Sequence, residues 1–253
     1  MSGLDRLQRE AVIDIAQRAG VAIMQVYANG FDIERKDDDS PVTTADLAAH
    51  RLIVDGLAAL TPDIPVLSEE SAQLPWETRR QWSRYWLVDP LDGTREFIKR
   101  NGEFSVNIAL IVDGHAVFGV VQAPVTGVVW HAMRGDRAYR RENGQDEVII
   151  TRVPPALPLR VAASRSHRSG RTELLLQRMG EIEMVAQGSS LKFCRIAEGT
   201  LDVYPRLEAA GGVLLAADSG APFQYNQRPR LLNGDFVALG DASLPWQDWV
   251  AGL

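Results

Sequence analysis

At 253 residues, with 45% hydrophobic and 24% charged residues, the chain is long enough for one large domain or two modest lobes around a substantial core. A net charge of −6 excludes a general nucleic-acid binder, which carries a basic excess, but leaves room for a small anion held by a metal and a few local cations. The single cysteine, Cys194, excludes an internal disulfide and a Cys-rich metal site and fits a reducing compartment. The opening Met-Ser-Gly-Leu-Asp-Arg lacks the basic-then-apolar pattern of a signal peptide, and no apolar run approaches the length of a membrane span. A cytoplasmic location is expected, with peripheral inner-membrane attachment and oligomeric state left open.

Taken in order, residues 4–27 place Leu4, Leu7, Ala11, Val12, Ile15, Ala16, Ala19, Ile23 and Val26 on one face of a long helix. Its polar face mixes acid and base, which favours core packing over a membrane surface. Asn29-Gly30 ends it, a short strand follows over 31–36, and Asp37-Asp38-Asp39-Ser40-Pro41 reads as a solvated turn rather than a metal loop. Thr43 or Thr44 caps a second helix with Asp46 in its first turn, where an acid serves the helix dipole or holds a hydroxyl. A strand over 64–67 runs into Ser68-Glu69-Glu70-Ser71.

The stretch Trp86-Leu-Val-Asp-Pro-Leu-Asp-Gly-Thr94 reads as a buried strand stopping at Pro90 and turning through Asp92-Gly93 into a helix from Thr94 to Arg100. Residues 104–112, 116–122 and 128–133 form an antiparallel meander, with Asn107 placed to hydrogen-bond within the sheet. The Pro-rich 153–158 is the linker. Strands over 159–163, 184–186 and 201–204 then alternate with helices over 172–179 and from Gly188-Ser189-Ser190 to Glu198, the pattern of a parallel α/β half. An α+β lobe over 1–155 and an α/β lobe over 156–253 are expected.

Glu69 and Asp89 each follow a short apolar strand, so parallel pairing would bring both carboxylates to one sheet edge. With Asp92 and the Leu91 carbonyl, the ligands are all oxygen, which suits Mg²⁺ or Mn²⁺ rather than zinc. Two ions roughly 3.5–4 Å apart would clamp a phosphate and generate hydroxide. Gly93, lacking a Cβ, lets phosphate oxygens approach the Gly93 and Thr94 amides. An ordinary strand–turn–helix with an Asp-Gly turn remains the competing explanation. No P-loop and no Gly-x-Ser-x-Gly elbow occurs, the four histidines share no ligand spacing, and Cys194, between Phe193 and Ile196, reads as a packed thiol.

Asp89-Pro-Leu-Asp-Gly-Thr94, Ser68-Glu-Glu70 and Ser40-Pro-Val-Thr-Thr-Ala-Asp46 resemble the inositol-monophosphatase superfamily of Mg²⁺-dependent, lithium-sensitive phosphatases. More narrowly, Glu103-Phe-Ser-Val-Asn-Ile-Ala-Leu110, Ser164-Arg-Ser-His167, Gly188-Ser-Ser-Leu-Lys-Phe-Cys194, Ala197-Glu-Gly199 and Tyr204-Pro-Arg206 are similar to its 3′(2′),5′-bisphosphate nucleotidase branch. The resemblance covers nearly the whole chain. It implies a layered αβαβα sugar-phosphatase fold with the site between the halves. It also implies hydrolysis of adenosine 3′,5′-bisphosphate to AMP and phosphate, clearing a by-product of sulfate activation, with two or three Mg²⁺ ions. Glu69, Asp89 and the Leu91 carbonyl would then hold the first metal, and Asp89 and Asp92 would share the second. Thr94, supported by Asp46, would orient the attacking water. The backbone from Leu91 through Asp92 and Gly93 to Thr94, with Glu69 nearby, would meet the scissile phosphate. Ser166, His167, Ser189, Ser190, Lys192 and Arg206 would contact the nucleotide and its second phosphate.

One departure stands out. The family continues after Tyr204-Pro-Arg206 into a loop and a Trp-Asp-x-Ala-Ala-Gly helix whose Asp completes the second metal site, whereas this chain passes from Leu207 to Glu208-Ala-Ala-Gly-Gly212. About 15 to 20 residues, one loop and one helix, are absent. Asp202 and Asp218 do not match the motif and inherit no role. Either a segment is missing from the chain as read, which predicts a Leu207–Glu208 Cα separation far beyond the ~3.8 Å of a peptide, or the protein is shortened and catalytically impaired. The cost of losing a core helix favours the first. Inositol- or sugar-phosphate hydrolysis and a non-catalytic phosphate-binding role are the alternative functions. Lys192 and the 164–167 loop suit a two-phosphate nucleotide better than a small polyol.

Overall fold

The computed structural model describes residues 4–31, 33–35, 41–71, 74–162, 170–206, 225–226 and 236–251. The chain divides into two units. The first comprises Met1–Val148 with Ser189–Leu191 and Tyr225–Arg228; the second comprises Ile149–Gly188, Lys192–Gln224 and Pro229–Leu253.

In the first unit, helix α1 (Arg6–Asn29) starts at Asp5, whose carboxylate accepts the Gln8 amide while the Gln8 side chain accepts the Asp5 amide, a reciprocal cap. Strands β1 (Ile33–Arg35) and β2 (Pro41–Thr43) form a small antiparallel pair leading into α2 (Thr44–Leu60). The acidic Asp37-Asp38-Asp39 turn between them lies outside the described residues. Next come β3 (Val66–Ser68), a 3₁₀ turn (Glu69–Ser71), a one-turn helix α3 (Trp76–Arg79), β4 (Arg84–Asp92) and the short helix α4 (Thr94–Ile98). The meander then runs through β5 (Ser105–Val112), β6 (His115–Gln122), β7 (Val129–Met133), β8 (Ala138–Glu142) and β9 (Gln145–Ile149). All seven strands from β3 to β9 lie side by side in chain order in one sheet, β3 parallel to β4 and each pair from β4 to β8 antiparallel.

The apolar stripes of α1 and α2 share one core with β4, β5, β6 and β7: Val12, Ala16, Ala19, Ile23, Ala49, Ile53 and Leu57 are sealed from solvent with Trp86, Ile108, Leu110 and Val120. Covering one sheet face with two amphipathic helices is what the helical and alternating apolar periods require. The indole N–H of Trp86 is satisfied by the Thr61 hydroxyl at 2.9 Å, so this strand is buried without an orphaned donor.

Three expectations are corrected here. The strand does not stop at Pro90 but continues to Asp92, with its register against β5 shifting between Asp89 and Asp92. A proline is tolerated in a strand at such an irregularity, where no ladder donor is needed. Helix α4 ends at Ile98 rather than Arg100, which adopts a left-handed φ of 56°. The meander has two strands beyond the expected three. The missed signal is Asn143-Gly144, both left-handed (φ 51° and 77°), the pair that two-residue hairpins favour.

In the second unit, β10 (Leu159–Ala162) pairs in parallel with β11 (Ile182–Val185) and with β12 (Val203–Arg206), and β13 (Phe236–Leu239) joins β12 antiparallel. The parallel core matches the expected alternation; the antiparallel edge strand does not follow from it. Helices α5 (Gly170–Arg178) and α7 (Trp246–Val250) pack on this sheet through Leu175, Leu176, Trp246 and Trp249. Helix α6 (Leu191–Ala197) starts after the two serines, not at them. Cys194 is buried on it, and burial pushes its thiol far above the usual range, so it is a packing residue. The Leu207–Glu208 junction lies outside the described residues.

Candidate active site

Parallel pairing of β3 with β4 sets Ser68 beside Val88, so Glu69, the first residue past β3, comes level with Asp89 of β4. Asp89 and Asp92 are three residues apart, which on a regular strand would point them to opposite faces. The register shift changes that. Asp89 stands opposite Asn107 and Asp92 opposite Ser105, so β4 spends three residues where β5 spends two. One extra residue is a β-bulge, and it returns both aspartates to one side of the sheet.

Gly93 turns the chain from this bulge into α4 with φ +96°, and a Cβ there would lie 3.1 Å from the Glu103 carbonyl oxygen and 3.2 Å from the Ser189 Cβ. Both the backbone sign and the space therefore demand glycine. The following turn is pinned by Phe97, fully buried among Tyr27, Phe31 and Phe104 with ring centroids 4.7–5.2 Å apart. That anchor fixes Thr94 at the first helical position.

Asp46 comes to Thr94 from α2. One carboxylate oxygen of Asp46 accepts the Thr43 amide at 2.7 Å and the Thr43 hydroxyl at 2.6 Å, closing the helix cap. Its other oxygen accepts the Thr94 hydroxyl at 3.2 Å, for which the Leu91 carbonyl at 3.3 Å competes. Asp46 is 2% exposed, and burial raises its carboxyl above the usual range against the lowering effect of the Thr43 hydrogen bonds. The capping Thr43 and the positioning of a hydroxyl are thus one arrangement, so both readings of Asp46 hold together.

The Asp89 carboxyl is raised well above the usual range, first by burial and then by the charges of Asp92 and Glu69 and a side-chain hydrogen bond with Glu69; the Leu91 amide, 3.2 Å away, opposes this. Among the described residues no group of three or more His, Cys, Asp and Glu side chains is placed to hold a metal ion by itself. The set expected for a first ion uses two such side chains and a backbone carbonyl. Crowded carboxylates around a buried one fit a hard divalent cation, and every candidate donor is oxygen.

Ser190 joins these residues: its amide donates to the Asp92 carboxylate and its hydroxyl to Asn107 Oδ1. Ser189 holds a left-handed φ of 50°. In the second unit, Lys192 is 7% exposed, its ammonium 3.4 Å from the Gln187 carbonyl and 4.8 Å from the centre of the Tyr204 ring. Arg206 ends β12. Ser166 and His167 lie outside the described residues. The Asn107 side chain accepts the Ser190 hydroxyl rather than a partner within the sheet, which was not legible in sequence because it depends on the pairing that sets Asn107 opposite Asp89.

Asp202, which matched no metal motif, has a different task. Its side chain, 1% exposed, accepts the Arg152 guanidinium and, at 2.7 Å, the Arg160 amide.

Residues 6–247 match the inositol monophosphatase family. The chain is 49% identical over 243 aligned positions to the 3′(2′),5′-bisphosphate nucleotidase CysQ of Escherichia coli O157:H7, covering 90% of this chain and 97% of that protein. The crystal structure of CysQ from Bacteroides thetaiotaomicron superposes with a TM-score of 0.72 at 34% identity, over 90% of this chain and 95% of that one. An IMPase from Thermotoga maritima superposes with a TM-score of 0.67 at 26% identity, over 81% and 77% of the two chains. The mixed α/β fold agrees with these structures, and no described helix is long and apolar enough to cross a membrane. On a match spanning nearly all of its length, the chain belongs to the inositol monophosphatase family.

Proposed function

We propose that this protein is a Mg²⁺-dependent phosphatase that hydrolyses the 3′-phosphate of adenosine 3′,5′-bisphosphate to AMP and phosphate, recycling a nucleotide by-product of sulfur assimilation. The observation that carries the reading is the bulge that sets Asp89 and Asp92 on one side of the sheet, beside Glu69 and a Thr94 hydroxyl held by Asp46. Similarity to proteins named as bisphosphate nucleotidases over 90% of the chain supports the substrate class.

Glu69, Asp89 and the Leu91 carbonyl would hold one Mg²⁺, and Asp89 and Asp92 would contribute to a second. Bound there, Mg²⁺ supplies Lewis acidity and lowers the pKa of water. The chain's own residues do the rest. Asp46 accepts the hydrogen bond of the Thr94 hydroxyl, so the Thr94 oxygen keeps its lone pairs and would accept a hydrogen bond from the attacking water. The Gly93 and Thr94 amides, at the start of α4, offer N–H groups to the phosphate oxygens. Ser166, His167, Ser189, Lys192 and Arg206 are proposed for the nucleotide and its 5′-phosphate.

A second reading has one specific support: Tyr204-Pro-Arg206 leads into Leu207-Glu208-Ala-Ala-Gly, without the Trp-Asp of the family helix. A phosphate-binding protein of impaired turnover would result. Assays of adenosine 3′,5′-bisphosphate and inositol 1-phosphate, each with and without Mg²⁺, separate the cases. Faster, Mg²⁺-dependent release from the nucleotide is the expected result. Equal or faster release from inositol 1-phosphate overturns the substrate assignment, and binding without release from either supports the second reading.

A further inference from the structure

Strand β5 presents two polar side chains opposite the two aspartates, Asn107 against Asp89 and Ser105 against Asp92. Being two residues apart, they share a face. Both turn to the same third residue. The Ser190 hydroxyl donates to Asn107 Oδ1 at 2.6 Å and lies 2.9 Å from the Ser105 hydroxyl oxygen, while the Ser190 amide donates to the Asp92 carboxylate. The hydrogen bonds thus run from β5 through Ser190 and back to β4.

We propose that Ser190, anchored by Asn107 and Ser105, is a positioning residue that sets the Asp92 carboxylate for its cation. This rests on Asp92 being a metal-site carboxylate. Asp92 is the last paired residue of β4, with the ladder interrupted just before it, so an outside tether has a purpose there. The tether is itself restrained. The Ser190 hydroxyl has one proton, and giving it to Asn107 leaves none for a phosphate oxygen. Ser105 can donate its own proton to the same oxygen, fixing the hydroxyl from a second side. The preceding residue, Ser189, keeps a backbone conformation unusual for a residue with a side chain, and its Cβ lies against the space that Gly93 leaves open. Strained backbone persists where its surroundings over-determine it, and here Ser190 is held from both strands. The family resemblance implies a nucleotide contact for Ser190; its hydroxyl is turned toward the sheet, to Asn107 and Ser105.

Outer partners of metal-binding carboxylates alter metal affinity by roughly 10–100-fold when removed. Mn²⁺ binding, followed by its electron paramagnetic resonance signal, reads this without turnover. In Ser190→Ala the loss of the hydroxyl anchor is expected to weaken Mn²⁺ binding about tenfold. Ser190→Thr, which retains a hydroxyl, should restore it, and Asn107→Ala should reproduce the loss with no further effect when combined with Ser190→Ala. Thermal melting in chelator identifies any variant that does not fold, in which case Ser105→Ala replaces it. Equal Mn²⁺ affinity in the folded Ser190→Ala protein and the native protein overturns the proposal. So does a Ser190→Ala effect confined to nucleotide KM, which would make Ser190 a substrate contact. A native protein that binds no Mn²⁺ overturns the metal-site reading itself and the proposal with it, a result distinct from either.

Discussion

Two edges of the seven-stranded sheet handle acidic side chains in opposite ways. Toward the β8–β9 edge, Arg141 sits between Asp146 and Glu10, donating to Asp146 at 2.6 and 2.7 Å and to Glu10 at 2.6 and 3.0 Å. Those hydrogen bonds hold the Asp146 carboxyl down at about 2 and lower Glu10 as well. At the β3–β4 edge, Asp89 is raised by burial and by two neighbouring carboxylates. The acid at the β8–β9 edge is given a cation by the chain. The acid at the β3–β4 edge is left among like charges, where a divalent cation would be the fitting complement.

The largest effect should come from Asp89. Replacing it by Asn removes a charge that the chain itself repels, so chelated Asp89→Asn should melt about 2–4 °C higher than the native protein, the equivalent of roughly 1 kcal/mol. Phosphatase activity should fall about a thousandfold, close to 4 kcal/mol of barrier. Melting curves and steady-state rates on the same preparations check both. A variant that loses stability along with activity would make Asp89 a structural acid and end the contrast.

Asp202 is the control of opposite sign. It is buried against Arg152 and the Arg160 amide, with the Arg160 guanidinium 3.6 Å away. Its removal takes the shared carboxylate from two guanidinium groups, which keep the Ala156 and Gly199 carbonyls, and leaves the Arg160 amide without its acceptor, so Asp202→Ala should lose about 3 kcal/mol in urea unfolding. Gly93→Ala comes next, at roughly 1–2 kcal/mol, because the new Cβ meets a carbonyl at 3.1 Å in a left-handed backbone. Since Gly93 directs Thr94 and its amide, activity should fall more than stability. Equal losses would mean that the turn supports the fold alone.

Much of this site was legible in sequence because its residues sit next to strong local signals. Thr43 with Asp46 three residues on is a capping pattern, and Asp46 does close that cap. The apolar runs before Glu69 and Asp89 would bring both carboxylates to one edge if the strands were parallel neighbours, and β3 does pair with β4 in parallel. What could not be read was the bulge. A strand interrupted by Pro90 looks finished, and only pairing with β5 shows that the chain continues with one residue to spare. The Ser190 tether was equally hidden, since Ser105 and Asn107 reach it over more than 80 residues of chain. Hairpin β8–β9 was missed for another reason. Exposed on both faces over Asp146 and Glu147, it lacks the apolar alternation that marks a strand, though its Asn143-Gly144 turn was in plain view.

The smallest effect gives the sharpest separation of the two edges, because their pH windows fall on opposite sides of the ordinary Asp value of 3.8. Asp146 is lowered in the folded protein, so its contribution is complete above that value and is lost as pH falls toward about 2. It is partly exposed, which limits the contribution to about 1 kcal/mol. Asp146→Asn should therefore trail the native protein by that amount at neutral pH, with the deficit closing only below the ordinary value. Asp89 is raised, so the folded state holds its proton more tightly and the native protein gains stability as pH falls toward 3.8. The advantage of Asp89→Asn in chelator should accordingly be greatest at neutral pH and should close above the ordinary value. Urea midpoints of both variants against the native protein from pH 7 to pH 2.5 measure the two windows together. If both differences closed in the same range, Asp89 would be paired as Asp146 is, and the crowded edge would have no excess charge to offer a metal.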